Sequence, residues 1–129
     1  MSFEWISRKP QSGTAKLYET KIVLSNGAHT HFDTAYGVML GLDEKNNRIA
    51  VKPVSKGEYH RGIIPEDKRH RITVRSSYAR IPTPKFLRNI APTTALEFSD
   101  DFPLSFDAAW DAKKKSLIID LDSLKEEEK

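Results

Sequence analysis

Apolar and polar residues alternate in several short segments, which is the pattern of strands with one buried face. The clearest segments are residues 15–24, 38–42, 48–54, 104–110 and 116–121. Two other segments show helical spacing, namely residues 28–35 and the run that opens with Thr83 and Pro84, which suit a helix start. The pattern therefore predicts a strand-rich protein with two short helices.

The predicted elements occur in the same order twice along the chain. Residues 15–55 give a strand, a short helix and a hairpin, and residues 72–121 give the same series. Each unit has too little apolar surface to be stable alone, so we expect the two to pack together. The sequence predicts an α+β, β-dominated fold in which two strand–short helix–hairpin units pack as one small barrel or sandwich.

The length of 129 residues is typical of one domain, and we interpret residues 1–129 as a single domain with flexible segments at 1–12 and 122–129. No apolar run is long enough for a membrane helix, so we expect no membrane partner. The absence of cysteine excludes disulfides and thiolate chemistry. Because it also fits a reducing compartment, we expect a cytoplasmic protein.

Charge is distributed unevenly behind a small net charge of +3. Residues 61–88 contain eight Lys and Arg residues and two acidic ones, whereas residues 89–129 contain ten acidic residues and five Lys. A basic middle followed by an acidic end predicts either an anion-binding surface or pairing between these two parts of the molecule.

The basic middle is the candidate nucleic-acid-binding surface. Guanidinium groups supply forked donors that suit phosphates, and Tyr59 and Tyr78 lie among the basic residues. The candidate contact residues are Arg69, Arg71, Arg75, Arg80, Lys85 and Arg88. In the alternative interpretation these side chains pair with the acidic second hairpin, within one chain or across a dimer. The domain is then a protein-interaction or oligomerisation module with no nucleic-acid role.

The stretch from Ala79 to Ile90 resembles the recognition element of the AbrB/MraZ-like swapped-hairpin transcription factors. Arg80 corresponds to the leading arginine of that element, and Pro84 corresponds to its helix-opening proline with one residue of slippage. Leu87 and Arg88 correspond to the centre of its short helix. The resemblance implies a swapped-hairpin barrel and DNA binding.

The resemblance also covers the doubled pattern, because the MraZ branch has two such units in one chain of similar length. The chain departs from the family at Ser76, where an aspartate is usual, and at Ala79, where a glycine is usual. The first unit has no arginine-proline element, and the second hairpin contains an extra segment at residues 103–111.

Catalytic and metal-binding patterns are incomplete in this sequence. The string His29–Asp33 resembles the beginning of the His-x-His-x-Asp-His signature of the metallo-β-lactamase fold, but Thr34 stands where the last histidine belongs. We therefore expect these histidines at the surface beside a turn, and no cofactor. There is no Gly-x-Ser-x-Gly elbow and no phosphate-cradling glycine loop. A metal-dependent enzyme is kept only as a minor alternative.

Together these observations predict a non-enzymatic DNA-binding or regulatory module that uses a basic face. The expected partners are duplex DNA and a second copy of the chain, as in a dimer. We also expect Phe86, Leu87, Trp110 and Ile119 to be buried, because each lies on the apolar face of its predicted element.

Overall fold

An antiparallel sheet is the main feature of the computed structural model, which describes residues 12–61, 64–65 and 68–125. Within these residues the strands are β1 (Ser12–Leu17), β2 (Lys21–Ser25), β3 (Gly37–Asp43), β4 (Arg48–Val54), β5 (Arg69–Arg71), β6 (Thr73–Val74), β7 (Tyr78–Pro82), β8 (Leu104–Asp111) and β9 (Ser116–Lys125). The helices are a 3-10 helix (Ala28–Phe32), α1 (Lys56–His60) and α2 (Pro84–Thr94). The strands lie side by side in the order β5-β3-β4-β9-β8-β1-β2-β7-β6.

The two ends of this strand order are consecutive in the chain. β5 pairs with β3 at one end, β6 pairs with β7 at the other, and only Ile72 separates β5 from β6. Residues 69–74 therefore act as one interrupted strand, which we call the closing strand. The buried side chain of Ile72 packs in the core between its two halves. The sheet consequently curls into a nearly closed barrel.

The pairing pattern relates the two predicted units. The first unit comprises β1, β2, the 3-10 helix, β3 and β4, and the second comprises the closing strand, β7, α2, β8 and β9. Equivalent strands pair across the units, β2 with β7 and β4 with β9. The first strand of each unit also pairs with the hairpin of the other, β1 with β8 and β5 with β3. This arrangement confirms the prediction of a β-dominated fold in which the two units pack as one small barrel.

The barrel interior is filled by the apolar face of each strand. Side chains alternate between the two faces, so every second residue of β2 and β7 is buried, and β4 follows the same pattern at Ile49 and Val51. The largest fully buried side chains are Phe32, Phe106, Leu17, Ile22, Leu24, Ile49, Ile81, Leu87, Leu117, Ile119, Val38 and Val51. Leu87 and Ile119 are thus buried as predicted. Phe86 and Trp110 are only partly buried, at the margin of the core, which corrects the prediction for these two rings.

The predicted first strand is divided by a turn. Tyr18 N donates to Lys21 O (2.9 Å), so residues 15–24 form parts of β1 and β2 instead of one strand. The carboxylate of Asp100 holds this turn by accepting from the backbone N–H groups of Glu19 (3.0 Å) and Thr20 (3.2 Å). Alternation alone could not predict this turn, because Asp100, which stabilises it, is distant in the sequence.

The ends of the chain lie largely outside the described residues. This applies to residues 1–11 and 126–129, and so to most of the predicted flexible segment at 1–12. At the other end, β9 continues to Lys125, into the segment 122–129 for which the sequence predicts flexibility. Its extension follows from pairing, since Lys125 lies opposite Ser105 of β8.

Gly13 of β1 and Gly41 of β3 provide a matched test of the packing around β1. A Cβ atom at Gly13 would lie 2.6 Å from Ala28 Cβ and 2.8 Å from the carbonyl oxygen of Ser25, whereas one at Gly41 would meet no atom within 4 Å. We expect Gly13→Ala to lower the free energy of unfolding by about 1–3 kcal/mol through overpacking. Gly41→Ala should raise it by about 0.4–1 kcal/mol by restricting the unfolded chain. Urea unfolding of both variants measures this, and equal midpoints would contradict the packing described for Gly13.

Candidate nucleic-acid interface

A cleft of about 930 Å³ lies at the beginning of α2. It is lined by Arg69, His70, Pro82, Thr83, Pro84, Lys85, Phe86, Arg88 and Asn89. Among the described residues, this lining contains three basic side chains and no carboxylate. Three of the six candidate residues, Arg69, Lys85 and Arg88, are therefore brought together here from two separate elements, the closing strand and α2.

Helix α2 is oriented by its apolar side. Leu87 and Ile90 are buried in the core, and helical spacing then places Lys85, Arg88 and Asn89 in solvent along the cleft. Pro84 occupies the first helical position, as the sequence predicts. The basic residues of the first turns are thus exposed as a consequence of how the helix packs on the barrel.

Thr83 connects the cleft to the barrel instead of capping α2. Its side chain makes no capping hydrogen bond, and its Oγ1 is 3.1 Å from Nδ1 of His70. Its backbone N–H donates to Thr20 O (3.0 Å). The buried Thr83 therefore fixes the junction between β7 and α2 to the closing strand. This arrangement determines where the walls of the cleft lie.

Arg69 has structural contacts in addition to its place in the cleft. Its guanidinium donates to the carbonyl oxygen of Tyr59 and lies 5.3 Å from the centre of the Tyr59 ring. The side chain is half-buried. Arg69 therefore attaches α1 to the closing strand, while its position at the cleft wall adds positive charge there.

Arg71 lies beside an aromatic cluster that the sequence pattern does not predict. We define the aromatic cluster as Tyr36, Tyr59 and His60, whose ring centres are 5.0–5.3 Å apart. The Arg71 guanidinium lies 4.5 Å from the centre of the Tyr36 ring, and the Arg71 side chain is exposed. Tyr59 and His60 had a sequence signal, their location among basic residues, whereas Tyr36 had none.

Arg80 and Arg75 extend the basic surface along β7. Arg80 is exposed on the outer face of β7, opposite Val23 of β2 and Thr73 of β6. Pro82, two residues further on the same face, already lines the cleft. Arg75 is exposed in the turn between β6 and β7, at the far end of this surface. These two arginines are therefore outside the cleft, with Arg80 nearer to it.

A buried histidine supports the turn that carries Arg75. His29 Nε2 is 3.1 Å from the carbonyl oxygen of Ser76, and because a carbonyl only accepts, Nε2 carries the proton. The expected surface location is thus wrong for His29, which is only 8% exposed. His31 is half-buried and stacks on Trp110 with ring centres 4.5 Å apart. Both histidines are used for packing because the 3-10 helix lies against the barrel.

Residues 12–61, 64–65 and 68–125 contain neither a metal-binding cluster of side chains nor a membrane-spanning helix. No group of three or more His, Asp or Glu side chains among these residues has an arrangement that could hold a metal ion. None of the helices described is sufficiently long and apolar to cross a membrane.

The acidic hairpin lies across the barrel from the basic candidates. In the closed strand order, β3 and β4 separate the closing strand from β9, and β1 and β2 separate β7 from β8. Asp120 of β9 lies opposite Asp107 of β8 and Arg48 of β4. The strand order thus separates the basic candidates from the acidic hairpin within one chain, which disfavours intramolecular pairing between them.

The different environments of Arg69 and Arg88 lead to a prediction about stability. Arg69→Ala should lower the free energy of unfolding by about 1–3 kcal/mol, because the half-buried guanidinium donates to Tyr59 O. Arg88→Ala should change it by less than about 0.5 kcal/mol, because Arg88 is exposed on α2. Chemical denaturation compares the two variants directly. A loss for Arg88→Ala as large as that for Arg69→Ala would contradict the separate roles.

Comparison of the chain with protein-family models, with curated proteins and with solved structures finds no match. The resemblance to the AbrB/MraZ-like factors therefore depends on the residues from Ala79 to Ile90 and on the doubled pattern, and it stays a prediction.

Proposed function

We propose that this protein is a non-enzymatic DNA-binding or regulatory module that holds the phosphate backbone in the α2 cleft. The observation that carries the proposal is the convergence of Arg69, Lys85 and Arg88 on a cleft of about 930 Å³ in which none of the described lining residues is acidic. Arginine and lysine are the side chains that neutralise phosphates, and their number determines how strongly binding depends on salt.

The surroundings of the cleft add to its affinity for anions. The first turn of α2 contains no acidic residue, so the positive end of the helix dipole is not neutralised locally. Asn89 supplies an uncharged donor at the same wall. Arg80 extends the charge beyond Pro82, which gives a basic path longer than the cleft. A polyanion that follows such a path is better matched to this surface than a single small anion.

The resemblance to the AbrB/MraZ-like factors supports the same function. Arg80, Pro84, Leu87 and Arg88 are the residues that carry the resemblance, and in this structure Pro84 and Arg88 line the cleft. A barrel built from two interlocked units is also what the resemblance implies. The proposal extends this to recognition in which cleft residues position the DNA backbone, with sequence read elsewhere on the surface or not at all.

A second candidate function is protein interaction or self-association, and exposed apolar side chains favour it. Phe102 is 78% exposed and Leu124 is 42% exposed. The two residues flank the same end of the β8–β9 pair, where Ser105 lies opposite Lys125. A homo-oligomer formed through this end would leave the α2 cleft open, so the two functions are compatible in one protein.

Salt titration tests the proposed function. Binding of duplex DNA should weaken steeply with salt, because each neutralised phosphate releases counterions. The double variant Lys85→Ala/Arg88→Ala should reduce the slope of log affinity against log salt by about two units, one for each lost contact. The loss should be the same on specific and random sequences if these residues only position the backbone.

The matched control is Lys113→Ala/Lys114→Ala, which removes the same charge from the exposed turn between β8 and β9. It should leave the salt slope unchanged. Equal losses in both double variants would mean that net charge alone governs binding. If the unmodified protein shows no retention on DNA at low salt but associates with itself in sedimentation, the second candidate should replace the first.

A further inference from the structure

We infer that the aromatic cluster beside the cleft is a stacking subsite for an unpaired base, so that single-stranded DNA is bound more tightly than duplex DNA. This inference rests on the proposed function, since it names the form of DNA that the same basic surface prefers. It concerns Tyr36, Tyr59 and His60, which the phosphate contacts of the cleft do not use.

The aromatic cluster lies at the surface and is not part of the core. His60 is exposed, and Tyr36 and Tyr59 are half-buried. The three rings are tilted by 60–73° to one another, so their faces point in different directions. None of the three belongs to the core cluster of the barrel. Side chains of this kind, at the surface and among cations, are the ones on which proteins stack single-stranded bases.

Arginine connects the aromatic cluster to the cleft. Arg69 lines the cleft and at the same time lies over the Tyr59 ring, so the two features share one guanidinium. Arg71 is exposed over the Tyr36 ring, and an arginine plane held in this way can itself receive a base. A strand whose phosphate occupies the cleft can therefore place a neighbouring base on the aromatic cluster.

The rings are held in position before any ligand arrives. A Cβ atom at Gly37 would lie 2.7 Å from Tyr59 Cδ2, so glycine at this position lets the Tyr59 ring pack directly on the backbone of β3. Tyr36 is fixed by its backbone N–H, which donates to Val54 O (2.9 Å), and by the 3.0 Å contact between its hydroxyl and His60 Nε2. Binding to such a surface orders few additional side chains, which favours affinity.

A capping box stabilises α1, the short helix that carries two of the rings. Glu58 N donates to Ser55 Oγ (3.2 Å), and Ser55 N donates to Glu58 Oε1 (2.8 Å). The hydrogen bonds from Ser55 also hold the pKa of the Glu58 carboxyl below its ordinary value. Glu58, the only described acidic side chain of α1, is thus already hydrogen-bonded to the start of its own helix.

Duplex DNA cannot use this subsite without unpairing. Its bases are stacked inside the helix, so it presents phosphates to the cleft and edges, not faces, to the rings. Only an unpaired base has an exposed face for Tyr36 or Arg71. Phosphate contacts are common to both forms of DNA, whereas stacking is available to one of them, which is the origin of the inferred preference.

Fluorescence anisotropy with three probes tests the inference on the unmodified protein. The probes are a labelled strand of about 12 nucleotides, a hairpin duplex of the same sequence, and a strand of equal length made of abasic sites. We expect the normal strand to bind about 5- to 150-fold more tightly than the abasic strand, the range measured for one stacked base. It should also bind more tightly than the hairpin. Equal affinity for normal and abasic strands, or tighter binding of the hairpin, would overturn the inference while leaving the basic cleft intact.

Two substitutions at Tyr36 test whether base stacking depends on the ring of this residue. Tyr36→Ala should reduce the difference between the normal and abasic strands to less than about 2-fold, because the stacked ring is lost. Tyr36→Phe keeps the ring, loses the hydroxyl contact with His60, and should retain the difference. A difference that persists in Tyr36→Ala would overturn the assignment of the subsite. Failure of all three probes to bind would remove the proposed function and this inference together.

Discussion

The closing strand is the element on which the rest of the structure depends. Its two halves pair with opposite ends of the strand order, β5 with β3 and β6 with β7, and Ile72 packs inward between them. Without it, β3 and β7 would be exposed edges, and the sheet would lose its closure. Because β3 belongs to the first unit and β7 to the second, the same six residues also fasten the two units together.

The candidate site is a consequence of this closure. The closing strand carries Arg69 and His70 to the beginning of α2, and the contact between Thr83 and His70 sets the position of the helix against it. Lys85 and Arg88 of α2 then line the same cleft as Arg69. The acidic hairpin, β8–β9, lies on the opposite side of the barrel, so the topology of the sheet separates the basic candidates from the acidic residues. Proposed phosphate binding and barrel closure thus use the same short segment.

Strands whose signal lies in their own sequence could be predicted, whereas elements that are ordered by contacts with distant segments could not. Alternation predicted β3, β4, β8 and β9 because each belongs to a hairpin with one buried face. In the closing strand only residues 72–74 have a β-prone sequence, whereas β5 consists of Arg69, His70 and Arg71 and is ordered by its pairing with β3 and its other tertiary contacts. Trp110 follows the apolar alternation of β8, yet it lies at the end of that strand and stacks on His31 instead of entering the core.

The candidate site was predictable to a similar extent. Sequence proximity placed the six basic residues in one region, and the structure joins Arg69, Lys85 and Arg88 in one cleft. The aromatic cluster could not be predicted, because Tyr36 meets Tyr59 only through the register of β3 and the position of α1. Likewise, the support that His29 gives to the turn at Ser76 depends on contacts between distant segments.

The most direct test of the central claim is to observe which backbone amides respond when DNA is added. Titration of ¹⁵N-labelled protein with a short oligonucleotide, followed by two-dimensional NMR, reports each residue separately. The account predicts that the largest shift changes fall on His70, Lys85, Phe86 and Arg88, with little change between Asp107 and Asp120. Changes centred on the β8–β9 hairpin, or no changes at any DNA concentration, would contradict the claim that the α2 cleft holds the phosphate backbone.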